Sequence, residues 1–155
     1  MKEKNLGKFR LEIELVPKTI WWSNVRKLVS KEAWDKIRRE QYKKAGYNCE
    51  ICGAEKELHC HEKWEYDDEK HEQKLVGFVA LCKNCHMIKH AGFSMYTQKG
   101  RELYDREELI RHFCKVNNCN KNDFIKHEDE AFRKWRERSG HNWKQDLAII
   151  SQCIK

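Results

Sequence analysis

Two C-x-x-C pairs constrain this chain more than any other feature: Cys49–Cys52 in "YNCEICGA" and Cys82–Cys85 in "ALCKNCHM". Each pair is a knuckle, a tight turn that aims two thiolates at one point. Two knuckles together make a tetrahedral four-thiolate site, the closed geometry of structural zinc. The 29 residues between Cys52 and Cys82 leave room for a subdomain. A thioredoxin-like redox motif, the competing reading, needs only one such pair. Cys60, Cys114, Cys119 and Cys153 lack paired spacing and read as small buried hydrophobes or free thiols.

Eight cysteines suggest disulfides in a secreted chain and metal ligation in a reducing compartment. The opening "MKEKNLGKFR" has no apolar stretch behind its charges, so a secretory signal is not expected. No apolar run approaches the roughly 18–20 residues that span a bilayer. The expected location is the cytoplasm.

The segment "LCKNCHMIKH" adds two histidines to the second knuckle. If His86 and His90 shared one ion with Cys82 and Cys85, then Cys49 and Cys52 would be orphaned. Pairing the knuckles leaves His86 and His90 free. They are four residues apart, so on a helix starting near Cys85 they lie on one face, one turn apart. That arrangement presents two ligands to a second ion. The segment "LHCHEKWEY" offers more: His59 and His61 alternate with Leu58, Cys60 and Glu62 on a short strand. Two imidazoles and a carboxylate this close form a cluster of metal ligands and proton acceptors. His71, His112, His127 and His141 have no partners at ligand spacing and are expected to be structural or exposed.

Residues 1–155 read as a single α+β domain. The Cys- and His-rich core covers about residues 47–92. An N-terminal strand and helix occupy residues 8–46, and a helical extension covers residues 100–155. In "KFRLEIELVP", Phe9, Leu11, Ile13 and Leu15 alternate with Arg10, Glu12 and Glu14, which predicts a half-buried strand ended by Pro17. "SKEAWDKIRREQYKKAG" predicts a helix capped by Ser30 and stopped by Gly46, with Ala33, Trp34 and Ile37 on its inner face. Its outer face carries Lys36, Arg38, Arg39, Lys43 and Lys44. Downstream, "DREELIRHFCKV" opens with a capping-box pattern at Asp105 and Glu108. "NDFIKHEDEAFRKWRERSG" continues at helical spacing up to Gly140.

The net charge is +7, unevenly spread. Residues 1–48 hold 13 basic and 6 acidic side chains, whereas residues 49–70 hold 3 and 8. Basic flanks suit a polyanion such as DNA or RNA, and equally suit helices with solvated lysines.

The combination "CEIC…LHCHE…ALCKNCHMIKH" resembles the HNH endonucleases of bacterial or phage type, whose core is the ββα-metal fold. The resemblance covers about residues 47–92 by motif. It implies a small ββα core clasped by a four-cysteine zinc site, with Cys49, Cys52, Cys82 and Cys85 in the zinc positions. His86 and His90 match the closing-helix ligands of a catalytic cation, Mg²⁺ or another divalent ion. His61 matches the strand histidine that activates water. Two departures stand out. Where the family often has His-His or Asp-His on the first strand, this chain has Cys60-His61-Glu62. One register makes His61 the general base, with Cys60 or His59 near the metal; the other makes His61 a ligand and Glu62 the base. Imidazole titrates near neutrality, whereas a carboxylate near ~4.3 is the weaker base. The family's middle asparagine is also absent: Gly77 falls about there, Asn84 lies inside the second knuckle, and Gln73 is the side chain expected to tie the loop between the strands.

The resemblance thus implies a metal-dependent, DNA-binding hydrolase that cleaves phosphodiester bonds, with double-stranded DNA as partner. Lys89, Arg38 and Arg39 are the expected phosphate contacts. Two other classes compete: a non-catalytic zinc-stabilised nucleic-acid-binding module, and a protein-interaction module on a zinc scaffold.

Overall fold

The computed structural model describes residues 9–20 and 24–154. In chain order its elements are α1 (Val25–Leu28), α2 (Lys31–Lys44), β1 (Leu58–Asp67), β2 (Glu72–Cys82), α3 (Lys83–Lys89), α4 (Ala91–Ser94), α5 (Gln98–Leu103), α6 (Arg106–Asn117), α7 (Lys121–Arg138) and β3 (Lys144–Asp146). A 3-10 helix, Ala148–Cys153, follows. The fold is mixed α+β. Among the described residues, no helix is long and apolar enough to cross a membrane. The chain divides into two compact units: Val16–Cys82 with Lys134–Lys155, and the residues up to Leu15 with Lys83–Arg133.

The first unit is built on an antiparallel β1–β2 hairpin, longer than the short strands expected from sequence. Its register runs from Leu58 opposite Cys82 to Asp67 opposite Glu72, with an irregularity between Lys63 and Trp64. His61 lies opposite Val79 and Glu62 opposite Phe78. Asp67 closes the turn, its Oδ1 accepting the N–H groups of Glu69 at 3.0 Å and Lys70 at 2.9 Å. A short carboxylate bonding the backbone two and three residues on is a recurrent turn device. Asp67 therefore ties the loop, and Gln73 does not. The buried Gln73 amide donates to Tyr66 Oη and accepts from Gln145 Nε2, both at 2.9 Å. It joins the hairpin to β3, which pairs parallel with β2.

Helix α2 begins as expected, with Ser30 Oγ accepting the Ala33 N–H at 3.1 Å. Its inner residues Ala33, Trp34 and Ile37 pack on a cluster of Val25, Val29, Leu75 and Ile150, beside Trp64 and Phe78. Trp34 meets Phe78 edge to face at 6.0 Å. Each fully buried aliphatic side chain there contributes about 1.5–3 kcal/mol. This packing fixes the sheet face that carries Glu62, Trp64 and Phe78.

In the second unit the expected N-terminal strand is absent: residues 9–15 form no strand. The alternation was real as a burial pattern. Leu11 and Ile13 are buried while Arg10 and Glu14 are exposed. A strand also requires a neighbouring backbone, and here other groups answer. The Leu11 N–H donates to Asn117 Oδ1 at 3.0 Å, the Ile13 N–H to His127 Nε2 at 2.9 Å, and the Glu14 N–H to Lys89 O at 3.0 Å. Phe113, fully buried on α6, packs edge to face with Phe9 at 5.2 Å and with Phe124 of α7 at 5.0 Å. Arg106 and Glu128 form a two-pronged pair, at 2.7 and 2.9 Å, with Glu128 buried. Asp105 caps α6 by accepting the Glu107 N–H at 2.9 Å.

Candidate metal centre

The first knuckle is a turn closed on itself. The Cys49 N–H donates to Ala54 O at 3.0 Å and the Gly53 N–H returns to Cys49 O at 2.9 Å. Gly53 has a φ of +77°, a conformation that a side chain strains. Glu50 pins this turn to β2: its N–H donates to Ala80 O at 2.9 Å, and its Oε2 accepts the Ala80 N–H at 2.5 Å. Cys82 ends β2, and Cys85 follows in the first turn of α3.

The four sulfurs of Cys49, Cys52, Cys82 and Cys85 lie within 4.8 Å of one another. Cys52 Sγ and Cys82 Sγ are 3.6 Å apart. A tetrahedral zinc with Zn–S near 2.3 Å needs sulfurs about 3.8 Å apart. None of the four is in a disulfide, and Cys49, Cys82 and Cys85 are buried. This donor set suits a metal such as zinc, on both chemistry and spacing.

A second group forms from His61 on β1, His86 on α3 and His90 just past its end. Their ligand nitrogens lie within 4.8 Å of one another. His61 is 6% exposed. The His90 N–H donates to His86 O at 3.0 Å, the helical spacing that stacks the two side chains on one face. Their rings meet at 4.7 Å with planes 80° apart. Three imidazoles are compatible with a transition metal such as zinc, nickel or iron, whereas Mg²⁺ favours oxygen ligands.

No family model, curated protein or solved structure gives a significant match to this chain.

The other expected site residues are placed as follows. His59 lies two residues before His61 on β1, paired with Leu81, and is not one of the three converging histidines. Glu62 points away from them. Its Oε1 accepts the Val25 N–H at 2.8 Å and its Oε2 accepts the Trp64 indole N–H at 3.0 Å. Burial raises its pKa above the ordinary carboxylate range, and those two donors pull it partly back. Lys89 is buried, with its Nζ 2.7 Å from Glu14 Oε1, so its ammonium is committed to an ion pair. Arg38 is half-buried, with its Nε 2.9 Å from Asp35 Oδ1. Arg39 is exposed on α2, as are Lys36, Lys43 and Lys44.

Sequence spacing missed two relationships. His112 of α6 lies with its Nε2 3.1 Å from Cys85 Sγ. Cys114 and Cys119 come together where α6 ends; burial foremost, then Cys114, pushes the Cys119 thiol up to about 11. Cys60 is half-buried; burial, then Glu62 and Glu50, pushes its thiol up to about 12, which suits a packing residue rather than a reactive thiolate. No local motif announces the His112–Cys85 contact, which joins side chains 27 residues apart. The signal for His112 is its place in α6, which packs on α3.

Proposed function

We propose that this chain is a metal-dependent endonuclease of the HNH type, hydrolysing phosphodiester bonds in DNA. The observation that carries the reading is the convergence of His61, His86 and His90 beside a separate set of four thiols. A protein needing metal only for its fold has use for the thiols alone. Cys49, Cys52, Cys82 and Cys85 hold a structural zinc that fixes the end of β2 to the start of α3. His86 and His90 hold the working cation, for which two imidazoles favour a transition metal over Mg²⁺. When bound, that cation supplies charge stabilisation to a phosphodiester in hydrolysis.

The remaining work belongs to the protein. His61 takes the proton of the attacking water, a contribution typically worth ~10²–10⁴ in rate. The hairpin register sets its ring, and its burial keeps bulk water from competing. Glu62 serves the scaffold: it ties β1 to α1 through the Val25 N–H. Arg39, Lys36, Lys43 and Lys44 on α2 offer exposed positive charge to a phosphate backbone.

Metal stoichiometry tests the reading. The purified protein should carry one tightly held zinc and take up a second, weakly held divalent ion. His86→Ala should abolish only the second. A protein that binds the zinc and nothing more is the non-catalytic module instead.

A further inference from the structure

We propose that His112 is a positioning residue of the four-thiol site, donating its Nε2–H to the sulfur of Cys85. The inference rests on the structural-zinc reading and adds a partner outside the four ligands. Cys85 Sγ and His112 Nε2 are 3.1 Å apart, and Cys85 is fully buried, so water does not compete for the sulfur. His112 does not join Cys49, Cys52 and Cys82 in the converging group, so it addresses one sulfur from outside.

The direction of the bond follows from the chemistry. A zinc-bound cysteine is a thiolate, which accepts and cannot donate. Nε2 therefore carries the hydrogen. Four thiolates around one Zn²⁺ leave a net charge of about −2 inside a buried site. An N–H aimed at one sulfur draws off part of that charge and holds the Cys85 side chain in its ligating orientation. Helix α6 thus supports the zinc site through the α3 knuckle, and its packing on α3 becomes part of metal retention. Loss of such an outer partner typically lowers metal affinity by about 10–100-fold.

The test compares the parent, His112→Gln, which keeps an N–H donor, and His112→Phe, which keeps bulk and loses the donor. Zinc release to excess chelator is followed by a colorimetric indicator. The near-ultraviolet sulfur-to-metal band is read after cobalt substitution. His112→Phe should release zinc at least ~10-fold faster, with the cobalt band moved to lower energy. His112→Gln should stay near the parent in both. Parental release and an unmoved band in a folded, zinc-loaded His112→Phe overturn the role of His112 and leave the four-cysteine site standing. A parent that binds no zinc overturns both. Nitrogen NMR shifts of the His112 ring in the zinc-loaded parent need no variant: a protonated Nε2 is expected, and an unprotonated one refutes the bond.

Discussion

His61 and Glu62 are neighbours in β1 and serve opposite faces of the sheet. The His61 ring lies with His86 and His90, while the Glu62 carboxylate accepts the N–H groups of Val25 and Trp64. Period-two alternation forces that split, because adjacent strand residues point to opposite sides. Glu62→Ala should therefore leave second-metal binding intact. It strips the partners from two N–H groups and should cost about 2 kcal/mol. Denaturant unfolding and metal titration of the same variant check both halves. Loss of the second metal at unchanged stability makes Glu62 a ligand instead.

The four cysteines are expected to be inseparable from the fold. Structural zinc contributes roughly 10–16 kcal/mol in small domains, more than a typical net stability. Cys49→Ala and Cys82→Ala should lose zinc and unfold, and a strong chelator should do the same to the parent. Full zinc content and an unchanged melt in either variant contradict the site.

Acid should weaken the attachment of the N-terminal segment through His127. Burial, reinforced by Lys89, lowers the His127 pKa from its ordinary 6.5, and its Nε2 accepts the Ile13 N–H. The unfolded chain then binds a proton that the folded one resists. The His127 contribution is complete above 6.5 and is lost as pH falls from there through the folded value. His127→Gln keeps an acceptor but does not titrate. Between about pH 7.5 and about pH 5.5 the parent's melting temperature should fall more steeply than the variant's. Parallel slopes by calorimetry speak against this role.

Much of this arrangement was legible in the sequence, for identifiable reasons. The C-x-x-C spacing and the His86/His90 interval are local, so a turn and a helix suffice to translate them into geometry. Ser30 and Asp105 were readable as caps because a cap acts within three residues. The N-terminal strand failed because alternation at Leu11 and Ile13 reports burial alone, and their backbone partners, Asn117 and His127, lie more than 100 residues away. The same holds for His112, whose partner Cys85 is on another helix. Lys89 read as a phosphate contact because nothing local reveals Glu14. The hairpin loop went to Gln73 because Asp67, one of several acidic residues there, gave no sign of which one turns back on the chain.

The Arg106–Glu128 pair should behave as a coupled unit, with Glu128 its buried member. Glu128 is 6% exposed and accepts both prongs of the guanidinium, with the Tyr96 hydroxyl as a further partner. Arg106→Met should cost about 2 kcal/mol, because it removes the guanidinium and leaves the buried carboxylate with the Tyr96 hydroxyl alone. Arg106→Met with Glu128→Leu should recover much of the loss. Urea unfolding of both variants decides it; a double variant less stable than Arg106→Met contradicts the account.

On the proposed function, the thiols build the fold and the histidines do the chemistry. Cleavage of supercoiled plasmid, with divalent metals added to the zinc-loaded protein, separates the two roles. The parent should cut when a transition metal is supplied. His86→Ala and His90→Ala should melt within a few degrees of the parent, keep their zinc and fail to cut. His61→Ala should bind the second metal and still fail to cut. If the parent leaves the plasmid intact with every metal, or the folded His86→Ala and His90→Ala variants cut as well as the parent, the claim is wrong.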